Sequence, residues 1–166
     1  MRAGDLLVPG YDADGRLWTA QYIKEDGTKR FARQSRKHGS FHVEGAANAA
    51  EGLQRLASSV VIAVAEGYAT AATVAKYGHV SAVAAFDSGN LLAVATALHE
   101  RWPGKPIMIA GDDDHRLENN PGRAKAVEAA AAVKRLAVFP QLDAQQREKG
   151  LTDFNDLVEF QRGDAV

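Results

Sequence analysis

The 166-residue chain contains no cysteine. This absence excludes a disulfide framework and a cysteine-ligated zinc ribbon within these residues. No window approaches about 18 uninterrupted apolar residues, as a membrane-spanning helix requires, and the N-terminus lacks a signal-like apolar segment. Neither sign of charge dominates, because the formal net charge is −1. We therefore expect a cytoplasmic protein without membrane association, in which any basic surface is local.

The first part of the chain is rich in turn signals. Asp14-Gly15 and Asp26-Gly27 are each flanked by short β-type runs, a pattern typical of hairpins. The predicted strands cover residues 6–8, 16–23 and 28–31. Residues 46–57 are predicted to form a linking helix. We therefore place a small β-rich basic subdomain at residues 1–57 and a second domain at 58–166.

From residue 58 onward, apolar runs alternate with alanine-rich segments. The predicted strands cover residues 60–65, 80–86, 106–110 and 136–139. The predicted helices cover residues 68–77, 91–101 and 121–135, with a last helix beginning near Asp153. Strands and helices that alternate with short connections indicate parallel βαβ units. The sequence thus predicts an α/β fold, an open parallel sheet flanked by helices and preceded by a small antiparallel β subdomain.

Carboxylates follow three of these strands. Glu66 follows the first strand, Asp87 the second, and 112–114 (three aspartates) the third. Parallel strands end at one edge of the sheet, where open α/β folds bind ligands. Side-chain alternation directs Asp112 and Asp114 to one side and Asp113 to the other.

Carboxylates that converge in a cleft are difficult to keep ionised without a cation. Oxygen ligands favour Mg²⁺ or Mn²⁺ over zinc. We therefore predict a divalent metal site at Glu66, Asp112 and Asp114, with Asp87 as a candidate further ligand.

Three stretches that occur in order carry a resemblance to a known family: VAEGYATAATVAKYG, AAFDSGNL and IAGDDDH…NPGRAKA. They resemble the Toprim domain, which bacterial-type primases, topoisomerases and some nucleases share. That domain has a glutamate after its first strand and Asp-x-Asp after its third, so the resemblance gives Glu66, Asp112 and Asp114 metal-binding and catalytic roles. The closing TDFNDLVE resembles the D-x-N-D-L segment of plasmid and phage primases, and gives Asp153 and Asp156 as candidate metal or nucleotide ligands.

The N-terminal segment favours primases among Toprim proteins. It resembles the module that precedes the Toprim part of primases, where a hairpin strand is followed by a basic K-[RY]-[FY] element. Residues 29–37, KRFARQSRK, hold five basic residues and no acidic one. Phe31 is available for base stacking. The residues expected to contact phosphates of the nucleotide or template are Lys29, Arg30, Arg33, Arg36 and Lys37.

The resemblance implies a metal-dependent DNA primase catalytic core, or a stand-alone remnant of one. Its reaction is nucleotidyl transfer from ribonucleoside triphosphates into a short RNA primer on a single-stranded DNA template, in plasmid or phage replication or in conjugation. A helicase or relaxase, as a further domain or a partner, fits such a role. Two alternatives stay open: a Toprim nuclease using the same carboxylates, and a non-catalytic nucleic-acid-binding relic of a primase.

Each feature also has a structural interpretation. The aspartate run could be a solvated loop that caps the following helix, and the basic stretch a solvated strand face. Asp153 and Asp156 could cap the last helix and favour its dipole. His115 is expected at the surface or behind the ligands, because an oxygen-lined magnesium site does not require it.

Overall fold

The structure, a computed structural model, describes residues 4–163. Its strands are β1 (Leu6–Tyr11), β2 (Leu17–Ile23), β3 (Lys29–Phe31), β4 (His42–Val43), β5 (Ile62–Ala65), β6 (Ser81–Ala84), β7 (Ile107–Ala110) and β8 (Leu136–Val138). An antiparallel sheet has the order β1-β2-β3, and a five-stranded sheet has the order β4-β6-β5-β7-β8. In the larger sheet only the β4–β6 pair is antiparallel among the described strands. The predicted α/β architecture is confirmed, and β4 is an addition that the sequence reasoning missed.

The helices are α1 (Ala49–Ser58), α2 (Tyr68–Gly78), α3 (Leu91–Arg101), α4 (Pro121–Ala132), α5 (Ala144–Lys149) and α6 (Phe154–Gln161). A 3-10 turn, Ser88–Asn90, precedes α3. The helix predicted to reach residue 135 ends earlier, at Ala132. Helix α5 was not predicted, although Asp143 and Gln146 form a capping box at its start.

No helix within residues 4–163 is long and apolar enough to cross a membrane.

The two faces of the larger sheet differ in side-chain size. Ile62 and Val64 of β5 point into a core of leucine, valine and isoleucine side chains beneath α3 and α4. Ala63 and Ala65 point to the other face, which is built largely from alanines and packs against α2. Because these side chains are small, α2 and α6 lie close to the sheet and to the ends of its strands.

Both predicted Asp-Gly hairpins are present. The carboxylate of Asp12 accepts hydrogen bonds from the N–H groups of Asp14 (3.0 Å) and Arg16 (2.9 Å), which closes the first turn. Strand β1 continues past its predicted end through Pro9. Proline is tolerated there because β1 is an edge strand.

The small sheet packs on the larger one through a few close contacts. Phe31 meets Phe86 edge to face, with ring centroids 5.6 Å apart. Gly10 is required beneath this pair, because a Cβ there would lie 2.8 Å from Cε2 of Phe86. Phe41 and Leu56 are fully buried in the core of the larger sheet. Residues of the predicted 1–57 subdomain therefore contribute to the core of the predicted 58–166 domain. The domain boundary after residue 57 remains a proposal.

Candidate metal and nucleic-acid site

The carboxyl ends of β5, β6 and β7 meet at one edge of the larger sheet. Ala65 of β5 pairs in parallel register with Ala84 of β6 and with Ala110 of β7. Glu66 therefore follows the middle strand, and Asp112 follows its neighbour after one glycine. The sheet brings these two carboxylates together, as the sequence predicted.

Asp112 is the most electrostatically perturbed of these groups. Its Oδ1 is buried and has no hydrogen-bond partner. Burial, followed by repulsion from Glu66, Asp153 and Asp114, raises the pKa of its carboxyl to about 8. The ionised form of Asp112 is thus disfavoured, and either protonation of the carboxyl or a bound cation would relieve the repulsion.

Glu66 lies under opposing influences. Burial raises the pKa of its carboxyl, and the nearby charges of Asp114 and Asp153 act in the same direction. The N–H of Ser88 and the ammonium of Lys29 partly offset that rise. Glu66 therefore holds a proton more readily than an exposed glutamate does.

Asp114 is held by the start of α4. Its Oδ2 accepts a 2.7 Å hydrogen bond from the N–H of Gly122. A Cβ at Gly122 would lie 2.7 Å from that oxygen and 3.1 Å from the carbonyl oxygen of Asp112. The first turn of α4 thus approaches the strand end closely because residue 122 is glycine, and its N-terminus favours the negative charge of Asp114.

Asp113 points away from this group, as alternation predicted, and has a structural role. Its side chain is 2% exposed and accepts hydrogen bonds from Asn120 (2.7 Å), Arg123 (3.2 Å) and Arg147 (2.7 Å). Burial would raise its pKa, but the hydrogen bonds and the two arginine charges outweigh burial and lower it. His115 lies behind the ligand group, with ring nitrogens 2.9 Å from the carbonyl oxygen of Asp113 and 3.1 Å from that of Arg147.

The start of α6 adds a further carboxylate to the site. Asp153 caps α6 by accepting from the N–H of Asp156, and it accepts a 3.0 Å hydrogen bond from Thr70 of α2. Burial, together with the charge of Asp156, raises the pKa of Asp153. The N–H of Asp113 donates to the carbonyl of Thr152 (2.7 Å), which fixes α6 beside the aspartate loop. Asp153 therefore caps the helix and also lies among the site carboxylates.

Asp87 is engaged elsewhere. Its carboxylate forms an ion pair with Lys37, at the junction of the small sheet and β6. The buried amide of Asn90 reinforces the same junction by donating to the carbonyls of Ser40 and Ala85. The structure thus gives Asp87 a partner in the basic segment.

The basic segment divides between two faces of the small sheet. On β3, Lys29 extends toward Glu66 and Phe31 packs on Phe86, so Arg30 between them faces the other side. Arg33 is exposed. Arg36 is engaged with Asp12 (3.5 Å). Among the predicted phosphate-binding residues, Lys29 is the one placed beside the site carboxylates.

Several contributors to the site were missed from sequence. Thr70 and Thr73 of α2 hold Asp153 and Asn155 of α6, and Arg147 holds Asp113. The sequence feature that could have identified the two threonines is their separation by three residues, which places both on one face of a helix. No comparable signal marked Arg147.

The donor set fits a divalent cation. Glu66, Asp114 and Asp153 lie near enough to Asp112 to raise its pKa, and Asp112 offers a buried oxygen without a hydrogen-bond partner. Within residues 4–163, however, no three acidic or histidine side chains already stand close enough to enclose an ion. Binding of a cation therefore requires these side chains to move closer together. Their mutual repulsion opposes that movement, and the charge of the bound cation would offset the repulsion.

Comparisons with known proteins agree with this geometry. Residues 61–164 match the family model described as Toprim domain. The chain is 58% identical over 138 residues to an Escherichia coli protein named DNA primase TraC, covering 80% of this chain and 12% of that protein. It therefore spans a small part of the length of this curated relative. Proteins with the Toprim and primase fold generally bind divalent metal ions.

Two solved structures share the fold. The primase fragment of the bacteriophage T7 primase-helicase protein superposes with a TM-score of 0.63 at 16% identity, covering 96% of this chain and 59% of that one. The DnaG primase catalytic domain bound to ssDNA superposes with a TM-score of 0.58 at 18% identity, covering 98% of this chain and 52% of that one. Both likenesses include the small antiparallel sheet, since they extend over nearly the whole chain.

Proposed function

Because the chain belongs to the Toprim domain family, we propose that it is the nucleotidyl-transfer core of a plasmid-type DNA primase. It would join ribonucleoside triphosphates into a short RNA primer on a single-stranded DNA template. The observation that carries the proposal is the position of Lys29, on the module in front of the sheet, beside the carboxylate of Glu66. A basic residue facing a metal-binding carboxylate group suits a substrate that carries phosphates.

We propose Mg²⁺ or Mn²⁺ as the metal and Asp112, Asp114 and Glu66 as its ligands, with Asp153 as a further ligand. The donors are carboxylate oxygens, which these ions prefer over the nitrogen and sulfur donors typical of zinc. When bound, such an ion would neutralise charge on the reacting phosphate and on the attacking and leaving oxygens.

The chain's own side chains would orient the substrates. Lys29 would contact a phosphate of the incoming nucleotide. Glu66 would serve either as a metal ligand or as the group that holds or accepts a proton at the primer 3′-hydroxyl. The N-terminus of α4 keeps Asp114 in place through the N–H of Gly122. Arg33, exposed on the basic segment, would contact the template.

Partners and location follow from the same proposal. A helicase or relaxase, as a partner or as another part of a longer protein, would bring the template to this core. We propose a cytoplasmic location, where template and ribonucleotides are present. Plasmid replication or conjugation is the process that the TraC relative suggests.

The decisive experiment combines the full chain with single-stranded DNA, labelled ribonucleotides and Mg²⁺ or Mn²⁺. We expect short labelled primers from the wild type and at least about a hundredfold less from Asp112→Asn, in line with the loss of one key electrostatic group. Asp14→Asn is the matched control, because the Asp14 side chain is 82% exposed on a hairpin. Cleavage of the DNA without synthesis would instead support the nuclease. Binding without either reaction would support the non-catalytic relic.

A further inference from the structure

Phe86 has a backbone conformation that bulky residues rarely adopt. It lies two residues beyond the end of β6 and has a φ of 76°, in the left-handed region. A bulky residue there is an outlier, because its Cβ crowds the backbone. Such a conformation persists only where the surrounding structure holds it, and it occurs disproportionately at functional sites. Burial of the ring, which leaves Phe86 5% exposed, does not by itself require this backbone.

Contacts on both sides of Phe86 hold this conformation. Before it, the N–H of Ala85 still donates to the end of β5 (2.9 Å). The carbonyl of Ala85 accepts a 2.8 Å hydrogen bond from the buried amide of Asn90. After it, the carboxylate of Asp87 is paired with Lys37. The chain is therefore anchored immediately before and immediately after the residue at which it turns.

The turn at Phe86 directs the next residues toward Glu66. The N–H of Ser88, two residues further on, lies close enough to the Glu66 carboxylate to favour its charged form. If residue 86 were extended, β6 would continue in its own direction past the end of β5. The left-handed backbone of Phe86 thus accounts for the position of the Ser88 N–H.

The ring of Phe86 supports the strand that carries Lys29. It meets Phe31 of β3 edge to face, with the ring centroids 5.6 Å apart. Lys29 and Phe31 are two residues apart on β3, so they share one face of the strand. The Nζ of Lys29 lies 3.8 Å from the position that a Cβ on Gly67 would take, next to Glu66. The contact between the two rings therefore bears on where the ammonium of Lys29 lies.

We propose that Phe86 is a positioning residue, which fixes the approach of both Lys29 and the Ser88 N–H to Glu66. Its ring acts on Lys29 through Phe31, and its left-handed backbone acts on Ser88. A residue that only filled the space between the two sheets would not require this backbone. The proposal rests on the proposed function in one respect, because the ligand held beside Lys29 and Glu66 is a ribonucleotide phosphate.

A zero-length cross-link measures the approach of Lys29 to Glu66 without any need for catalysis. A carbodiimide condenses an amine with a neighbouring carboxyl group into an amide and takes up the lost water as a urea. We expect the metal-free full chain to give a Lys29–Glu66 cross-link, identified in tryptic peptides by mass spectrometry. Phe86→Leu should lower its yield roughly 2- to 13-fold, the range for one lost edge-to-face pair. Phe31→Leu removes the other ring and should lower the yield similarly, which keeps the test available if Phe86→Leu does not fold.

Primer synthesis then separates positioning from a general loss of stability. Phe86→Leu should raise the KM for ribonucleotides by the same roughly 2- to 13-fold, because Lys29 is displaced. In a Lys29→Gln background the same substitution should leave KM unchanged, since residues that act through one contact are not additive. Val133→Ala is the matched control: it shortens a buried core side chain after α4, and should lower the melting temperature without changing KM or the cross-link yield.

The outcomes distinguish this proposal from the proposed function. A wild-type cross-link yield in both ring variants, or an equal loss of yield in Val133→Ala, would overturn Phe86 as a positioning residue. A rise in KM that persists in the Lys29→Gln background would also overturn it. If the wild type makes no primers, the proposed function fails, while a cross-link that depends on Phe86 would still establish its positioning of Lys29.

Discussion

The carboxylate of Asp113 accepts a 2.7 Å hydrogen bond from the guanidinium of Arg147, 34 residues further along the chain. Asp113 is almost fully buried, whereas the Arg147 side chain is 40% exposed. This pair fastens the aspartate loop at the end of β7 to α5. It thereby holds the neighbouring Asp112 and Asp114 in place without contributing an oxygen to the site.

We expect Asp113→Asn to destabilise the protein by roughly 1.5–3 kcal/mol, the usual range for hydrogen bonds to charged groups. The pKa of Asp113 is lowered in the folded state, so its contribution is present above its unfolded pKa and lost as pH falls through the folded value. The difference between wild type and variant in urea unfolding should therefore be full at pH 7 and shrink below about pH 4. Equal stability at pH 7 would contradict this role.

At the adjacent residue, the substitution Asp112→Asn should stabilise the metal-free protein, whereas Asp113→Asn destabilises it. The pKa of Asp112 is raised from 3.8 to about 8 in the folded state. Its protonated carboxyl therefore contributes fully to the free energy of unfolding below pH 3.8, and this contribution is lost as pH rises toward 8. In EDTA at pH 8 we expect the variant to melt about 2–8 °C higher, corresponding to about 1–2 kcal/mol. The gain should vanish near pH 4 in thermal melts.

Addition of Mn²⁺ should raise the melting temperature of the wild type and leave that of Asp112→Asn nearly unchanged. A cation that binds the folded state stabilises it by RT ln(1 + [L]/Kd), where [L] is the free cation concentration, and Asp112 supplies a buried oxygen for it. Asp113→Asn should keep most of the response to Mn²⁺, since that side chain faces the arginines. Similar loss of the response in both variants would contradict the separation of the two faces.

Gly111→Ala should destabilise the protein by about 1–3 kcal/mol, as overpacking of a dense site does. An added Cβ would lie 2.5 Å from the Cβ of Ala126 and 2.6 Å from Cε1 of Phe139, so α4 or the strand end must move. Gly104→Ala is the matched control, because a Cβ there meets nothing within 4 Å. Urea unfolding of both variants, compared with the wild type, tests the difference.

Asn90→Ala should loosen the junction between the small sheet and the larger one. The Asn90 side chain accepts from the N–H of Gly39 (2.8 Å) and donates to the carbonyls of Ser40 (2.9 Å) and Ala85 (2.8 Å). We expect a loss of about 2–4 kcal/mol, since several buried groups lose their partner at once. Asn48→Ala removes an exposed helix cap and should cost only about 1 kcal/mol. Comparable losses in the two variants would argue against a clamp at Asn90.

The sequence by itself determined the strand and helix order, both hairpins and the edge at which Glu66 and Asp112 meet. The elements and hairpins depend on local periodicity and on Asp-Gly turns, which act over short stretches of chain. The shared edge follows from the general rule that parallel strands of an open sheet end on one side. The separation of Asp113 from its neighbours also followed from alternation alone. Helix α5 was missed because its six residues carry little periodicity.

Only the tertiary structure decided which long-range partner each side chain has. Asp87 pairs with Lys37 and Asp113 with Arg147 because packing brings together segments that are dozens of residues apart, and no local pattern specifies such contacts. The same holds for Asp112, whose raised pKa arises from burial and from carboxylates that include Glu66 after β5 and Asp153 at the start of α6. Residue types and spacing identify charges in a sequence, but their depth and neighbours, which set their free energies, exist only once the chain has folded.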